Sequence, residues 1–165
     1  MNLYGATIPT ENGLLTSLEI LNMESNNLIG TFPTELCQLS NLKYLNLGRN
    51  TLMGTIPIEI GQLSNLETLF LNGNEAISGA VPTSITQLSS LRTTFLDGTS
   101  VTSGVNLICT LPQFRSADIM AVAYADCGNS TTGSSNSDGT TNMEVECECC
   151  RCCNDMDNNG MGCSK

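Results

Sequence analysis

Between Leu18 and Val101 the chain copies itself. Leu18, Leu21, Met23, Asn26, Leu28, Gly30, Phe32 and Pro33 return as Leu42, Leu45, Leu47, Asn50, Leu52, Gly54, Ile56 and Pro57, at a constant offset of 24 residues. A third row gives Leu66, Leu69, Leu71, Asn74, Ile77, Gly79, Val81 and Pro82, with one extra residue near Glu75. A fourth fades into Leu91, Thr94, Leu96, Thr99 and Val101, and Leu3, Gly5, Ile8 and Pro9 read as the second half of a row whose first half is missing. Self-similarity at a short fixed period means stacked copies of one small unit, and it constrains the fold before any other property does.

The spacing inside a row says what the unit is. In LxxLxL the last two leucines lie two residues apart, on one side of a strand, while leucines three apart suit a tighter coil. Each row is then one strand and a return. Ordering a lone coil costs more than its few buried leucines give back. Stacked about 4.8 Å apart, coils share a parallel ladder of hydrogen bonds and seal the leucines between layers. Asn26, Asn50 and Asn74 fall where the chain leaves the strand. An amide there pairs with backbone groups that the turn leaves open, so an asparagine ladder is expected.

The row pattern, LxxLxxLxLxxNxLxGxIPxxIGxLxx, resembles the leucine-rich repeat family, and its Gly-x-Ile-Pro element resembles the plant-type subclass. The resemblance covers residues 1 to about 101. It implies an α/β-type solenoid, a right-handed superhelix with a parallel sheet on its concave face and mostly irregular or 3-10 turns on its convex face. It also implies a short second strand near Leu28, Leu52 and Ile77. Members of this type are commonly ectodomains of receptor-like proteins and kinases, or secreted inhibitors, and most bind proteins, peptides or glycans without catalysis or cofactor. A non-catalytic interaction module is the expectation.

Composition narrows the chemistry in the same direction. There is no histidine, which excludes Ser-His and Cys-His catalytic arrangements and zinc sites with imidazole ligands. With 16 acidic against 6 basic residues and no basic run, nucleic acid and anionic membrane surfaces are not expected partners. No stretch approaches the length of apolar chain that spans a bilayer.

Residues between the leucines point away from the core, so they sort into columns across the strands. Glu19, Lys43, Glu67 and Arg92 form the first; Ile20, Tyr44, Thr68 and Thr93 the second. Asn22, Asn46, Phe70 and Phe95 form the third; Glu24, Gly48, Asn72 and Asp97 the fourth. The alternating charges of the first column read as a stabilising ladder. Phe70 and Phe95 fall on adjacent strands, where two rings either stack as a cross-strand pair or serve as contact hot spots. The expected partner surface, for another protein or a peptide, comprises Tyr44, Asn46, Arg49, Phe70, Asn72, Arg92, Phe95 and Asp97.

The repeats are expected over residues 1–108, about four with the first incomplete, and a cysteine-rich cap over 109–165. Repeat arrays need such a cap because the last coil has no neighbour over its leucines. Within DIMAVAYADC, Ile119, Val122, Tyr124 and Cys127 reproduce the spacing of Leu18, Leu21, Met23 and Asn26 and predict one last strand. Met120, Ala123 and Ala125 offer the opposite register, since the stretch is apolar on both faces. Residues 128–142 carry no apolar side chain and read as a flexible loop containing the glycosylation sequon at Asn129.

Nine cysteines, eight of them after residue 108, point to an oxidising location, extracellular or at the cell surface. Cys109, Cys127, Cys147, Cys149, Cys150, Cys152, Cys153 and Cys163 are the disulfide candidates. Neighbouring Cα atoms lie about 3.8 Å apart, closer than an unstrained disulfide spans, so Cys149 and Cys150 find partners elsewhere. Cys37 replaces Gly61 and Thr86 of the aligned rows and reads as a free thiol. A metallothionein-like thiolate cluster is the rival reading of CxC and CC. A redox pair at Cys150 and Cys153 lacks its βαβ context, and Asp155, Asp157, Asn159 and Gly160 match only the first half of a calcium loop. Two alternatives stand beside the interaction module: a fragment of a receptor-like kinase ectodomain, truncated inside its first repeat and tethered through absent parts, or a structural cell-surface protein.

Overall fold

The structure, a computed structural model, describes residues 5–112, 122–125 and 150–152. Each leucine row in it is one coil. Strands β1 (Ile20–Asn22), β3 (Tyr44–Asn46), β5 (Thr68–Phe70), β7 (Thr93–Phe95), β9 (Val122–Ala125) and β10 (Cys150–Cys152) form one parallel sheet in that order. Between them run β2 (Ile29–Thr31), β4 (Thr51–Gly54), β6 (Ala76–Ala80) and β8 (Ser100–Ser103), which form the second parallel sheet. The second strands expected near Leu28, Leu52 and Ile77 are β2, β4 and β6. This is the solenoid of the leucine-rich repeat fold, and a four-residue helix, α1 (Asn106–Cys109), follows β8.

The return of each coil is a 3-10 turn, at Thr10–Leu14, Thr34–Gln38, Ile58–Gln62 and Thr83–Gln87. Each follows a proline, whose ring holds φ between −65° and −69° and whose carbonyl accepts the first turn bond, as from Leu36 N to Pro33 O at 3.2 Å. The glycine three residues before Pro33, Pro57 and Pro82 is demanded twice over. Gly30 and Gly54 take φ of +85° and +87°, and a Cβ there would lie 3.0 Å and 3.3 Å from threonine methyls of the preceding coil.

The leucines fill the space between the sheets and turns. Leu42, Leu45, Leu47, Leu66, Leu69 and Leu71 are buried to 1% exposure or less. In the first described coil the same positions are less covered: Leu15 is 52% exposed where its counterpart Leu39 is 0%. Leu14 and Ile20, also on this coil, are exposed at 76% and 65%.

The asparagine ladder is present. Asn50 Oδ1 accepts from the backbone N–H groups of Asn26 and Leu28, both at 3.0 Å, and its Nδ2 donates to Met23 O and Leu47 O at 2.9 Å. Asn74 repeats this one coil on, accepting from Leu52 N and donating to Leu47 O and Leu71 O. Each amide joins two successive turns and leaves no buried polar atom of its own open. In the fourth row Thr99 replaces the asparagine and donates only to Leu96 O, at 2.6 Å. Thr94, in the leucine column, is 1% exposed, and its hydroxyl has no partner among the described residues.

The last strands take one of the two registers that the sequence leaves open. Ala123 is opposite Thr94 and Tyr124 opposite Phe95. The leucine column therefore continues through Ala123 and Ala125, the register opposite to the one that Ile119, Val122, Tyr124 and Cys127 predict. A slip of one residue exchanges the faces of a strand, and a stretch apolar on both sides gives no pattern to resist it. Cys150 is opposite Ala123, Arg151 opposite Tyr124 and Cys152 opposite Ala125, so the CRC segment continues the concave sheet. Asn129, the loop 128–142, the calcium-like run and Cys127, Cys147, Cys149, Cys153 and Cys163 lie outside the described residues.

Candidate functional site

The first sheet keeps step with the repeat: Ile20, Tyr44, Thr68 and Thr93 are in register, as are Asn22, Asn46, Phe70 and Phe95. Strands at sheet spacing then bring single aromatic residues of successive coils into contact. Phe70 and Phe95 stack with centroids 4.5 Å apart and planes at 29°. Tyr44 meets Phe70 nearly perpendicularly, at 5.8 Å and 75°. All three rings are half-buried, so they stand on the concave face as one row.

A polar network fixes one end of this row. Asn46 is 3% exposed. Its Oδ1 accepts from Gly48 N at 2.9 Å, which orients the amide so that Nδ2 donates to Glu24 Oε2 at 3.1 Å and Tyr44 Oη at 3.3 Å. Arg49 Nε lies 3.7 Å from Glu24 Oε1. Gly48 leaves room for this packing: a Cβ would lie 2.7 Å from Asn72 Oδ1 and 3.1 Å from Asn46 Oδ1, and these side chains would have to shift. Glu24 thus holds both Asn46 and Arg49, a role the column assignment misses because its contacts run diagonally to the next coil.

Of the expected partner residues, Tyr44, Asn46, Phe70 and Phe95 adjoin one another, and Arg49 joins them through Glu24. Asn72 and Asp97 sit in the neighbouring column, on the backbone stretch where Arg49 N donates to Asn72 O and Gly73 N to Asp97 O. Arg92 stands exposed in the first column. That column opens with an ion pair, Lys43 Nζ to Glu19 Oε2 at 2.8 Å, and this hydrogen bond chiefly holds the lysine above its ordinary pKa.

Cys37 is a free thiol on the convex side, 1% exposed. Burial first, then the charges of Glu59 and Glu35, push it up to about 12, so at neutral pH it is a protonated thiol packed in the core. Among the described residues no group of three or more His, Cys, Asp or Glu is placed to hold a metal ion. No helix among them is long and apolar enough to cross a membrane.

Residues 17–39 and 41–63 match the model of the Leucine Rich Repeat. No curated protein matches the chain. Among solved structures the chain is similar to the plant peptide hormone receptor RGFR1 in complex with RGF2, at 31% identity and TM-score 0.65 over 74% of this chain and 19% of that one. It is also similar to the Arabidopsis receptor kinase HAESA in complex with the peptide hormone IDA and the co-receptor SERK1, at 36% identity and TM-score 0.54 over 60% of this chain and 16% of that one. A plant ice-binding protein matches at 29% identity and TM-score 0.54, over 59% of this chain and 31% of that one. The chain therefore spans less than a third of the length of each.

Proposed function

We propose that the chain is a non-catalytic recognition module, extracellular or at the cell surface, that binds a protein or peptide partner on its concave face. The observation that carries this reading is the row of Tyr44, Phe70 and Phe95, half-buried on a rigid parallel sheet with a fixed polar network at one end. Large aromatic area held in place costs little entropy on binding, which is the property of contact hot spots. The similar structures with bound peptides support a peptide as the partner class. Tyr44, Asn46, Arg49, Phe70, Asn72, Arg92, Phe95 and Asp97 are the proposed contacts. The test is affinity capture from extracellular fluid with the chain and with the Phe70→Ala/Phe95→Ala variant. Partners held by the former and lost by the latter support the reading; identical captures contradict it.

One observation favours a second reading for the other sheet. Strands β2, β4, β6 and β8 carry no charged residue in a chain of net charge −10. Several hydroxyls there are already committed to carbonyls of the preceding coil: Thr51 to Leu28 O at 2.7 Å, Ser100 to Glu75 O at 2.6 Å and Thr102 to Gly79 O at 3.3 Å. These bonds hold the hydroxyls of an uncharged strand surface in place, a surface suited to ordered water such as ice. An ice recrystallisation assay decides it. Inhibition abolished by Thr51→Lys/Thr102→Lys and kept by Phe70→Ala supports this reading, and absence of inhibition ends it.

A further inference from the structure

We infer that the open edge of the first coil takes a parallel strand from another polypeptide, one that carries the leucine spacing of the repeat and a lysine or arginine opposite Glu19. This surface lies along β1 and is separate from the aromatic row.

Strand β1 stands at the end of the concave sheet and pairs with β3 alone. The inner coils show what its other edge can receive. Lys43 N and Tyr44 N donate to Glu19 O at 2.8 and 3.1 Å, and Glu67 N and Thr68 N donate in the same way to Lys43 O at 2.8 and 3.0 Å. In return Met23 N donates to Asn46 O at 2.8 Å, and Leu47 N to Phe70 O at 2.9 Å. Carried one coil back, the same step leaves Glu19 N, Ile20 N and Asn22 O facing a side where no described strand lies. These are the donors and the acceptor that a parallel strand engages.

The side chains along that edge are apolar. Leu18, Leu21 and Met23 are half-buried, whereas their counterparts Leu42, Leu45 and Leu47 are 0% exposed, and Ile20 beside them is 65% exposed. Open apolar area next to unpaired backbone is what an added strand covers. Leu14, 76% exposed, stands where the other rows carry Gln38, Gln62 and Gln87. The first coil thus exposes more apolar surface than the repeat itself requires.

Charge selects the occupant. Between residues 5 and 31 the charged side chains are Glu11, Glu19 and Glu24. Glu24 is committed to Asn46 and Arg49 and takes no part. Glu19 is different. In the first column Lys43 stands between Glu19 and Glu67, and Glu67 between Lys43 and Arg92, whereas Glu19 has a cation on one side only. Its bond to Lys43 does not use up the position, because the column shares charges: Glu19 first, and Glu67 from the other side, both raise the pKa of Lys43. A basic residue on the open side continues the alternation and sets the register of the incoming strand. Two copies meeting edge to edge would instead bring the carboxylates of two first coils together, with no cation on either.

The chain's own residues 40–50, SNLKYLNLGRN, supply the probe, since they lie against β5 as the occupant lies against β1. Fluorescence anisotropy of this labelled peptide with the folded chain should show saturable binding. N-methylation of the peptide at Leu47, whose N–H reaches Asn22 O in this register, should weaken binding roughly tenfold. A Lys43→Glu peptide should bind about two- to fivefold more weakly than the parent, and the Glu19→Lys variant of the chain should reverse that preference. Phe70→Ala should bind the parent peptide unchanged, and circular dichroism confirms the fold of both variants. A scrambled peptide that binds as well, N-methylation without effect, a charge preference that ignores Glu19→Lys, or no saturable binding overturns the inference. Loss of binding in Phe70→Ala moves the peptide to the concave row and overturns it too, and a dimer of the chain that excludes the peptide overturns it in favour of a second copy.

Discussion

At the scale of single residues, the asparagines and the odd cysteine show how much one side chain settles. Asn50 satisfies two backbone donors and two backbone carbonyls from two coils, in a place 6% exposed where water cannot substitute. Asn50→Ala leaves these groups buried without partners and should cost roughly 3 kcal/mol or more, read as a lower urea midpoint. The corresponding Asn26→Ala, whose amide donates to Glu24 O in a half-buried site, should cost less. Cys37 gives a signed pH dependence. Its folded pKa stands at about 12 against an ordinary 9.0, so the unfolded chain loses this proton first. Stability is therefore unaffected by this group below pH 9 and falls as pH rises from there toward 12, and Cys37→Ser should flatten that fall. In native buffer near neutrality Cys37 should resist iodoacetamide and react only on unfolding. Both residues were legible in the sequence, the asparagines from their period and the cysteine from its lack of a counterpart in the other rows. Glu24 was not, because the bond to Asn46 joins different columns of neighbouring coils, and a one-dimensional pattern does not contain diagonals.

At the scale of elements, legibility follows the leucines. LxxLxL has one face demanded by the core, so the concave strands and the columns Tyr44, Thr68, Thr93 and Asn46, Phe70, Phe95 could be read directly. The second sheet lacks that demand, and its register departs from the repeat. Ile29 and Met53 are equivalent in sequence, yet Ile29 is opposite Thr51 and Met53 is opposite Ala76, a step of two residues per coil. Ile29 and Met53 are 39% and 50% exposed, so burial does not pin their partners. The register of β9 was open in the sequence for the related reason that Val122–Ala125 is apolar on both faces. Its register carries a prediction: Ala123→Asp, in the leucine column beside Thr94, should lower the urea midpoint clearly, and Tyr124→Asp, in the column of Phe95, should lower it far less. A larger loss for Tyr124→Asp than for Ala123→Asp would return the strand to the other register.

At the scale of the whole molecule, each coil depends on its neighbours to cover its leucines, and the proposed partner surface is built across several coils rather than on one. Leu45→Ala, in a coil covered on both sides, should lose about 2 to 5 kcal/mol by urea unfolding, and Leu21→Ala, on the half-buried first coil, less. If the chain folds in an oxidising compartment, thiol titration under denaturing, non-reducing conditions should find about one free thiol, Cys37; about nine would favour the thiolate-cluster reading. The central claim is that recognition belongs to the concave row rather than to the convex turns, and photocrosslinking addresses it most directly. A benzoylphenylalanine is placed at Phe70 in one sample and, in another, at Ile58, a convex residue 63% exposed. Irradiation with the captured partner should give a covalent adduct from position 70 and none from position 58. An adduct from position 58 alone would contradict the account.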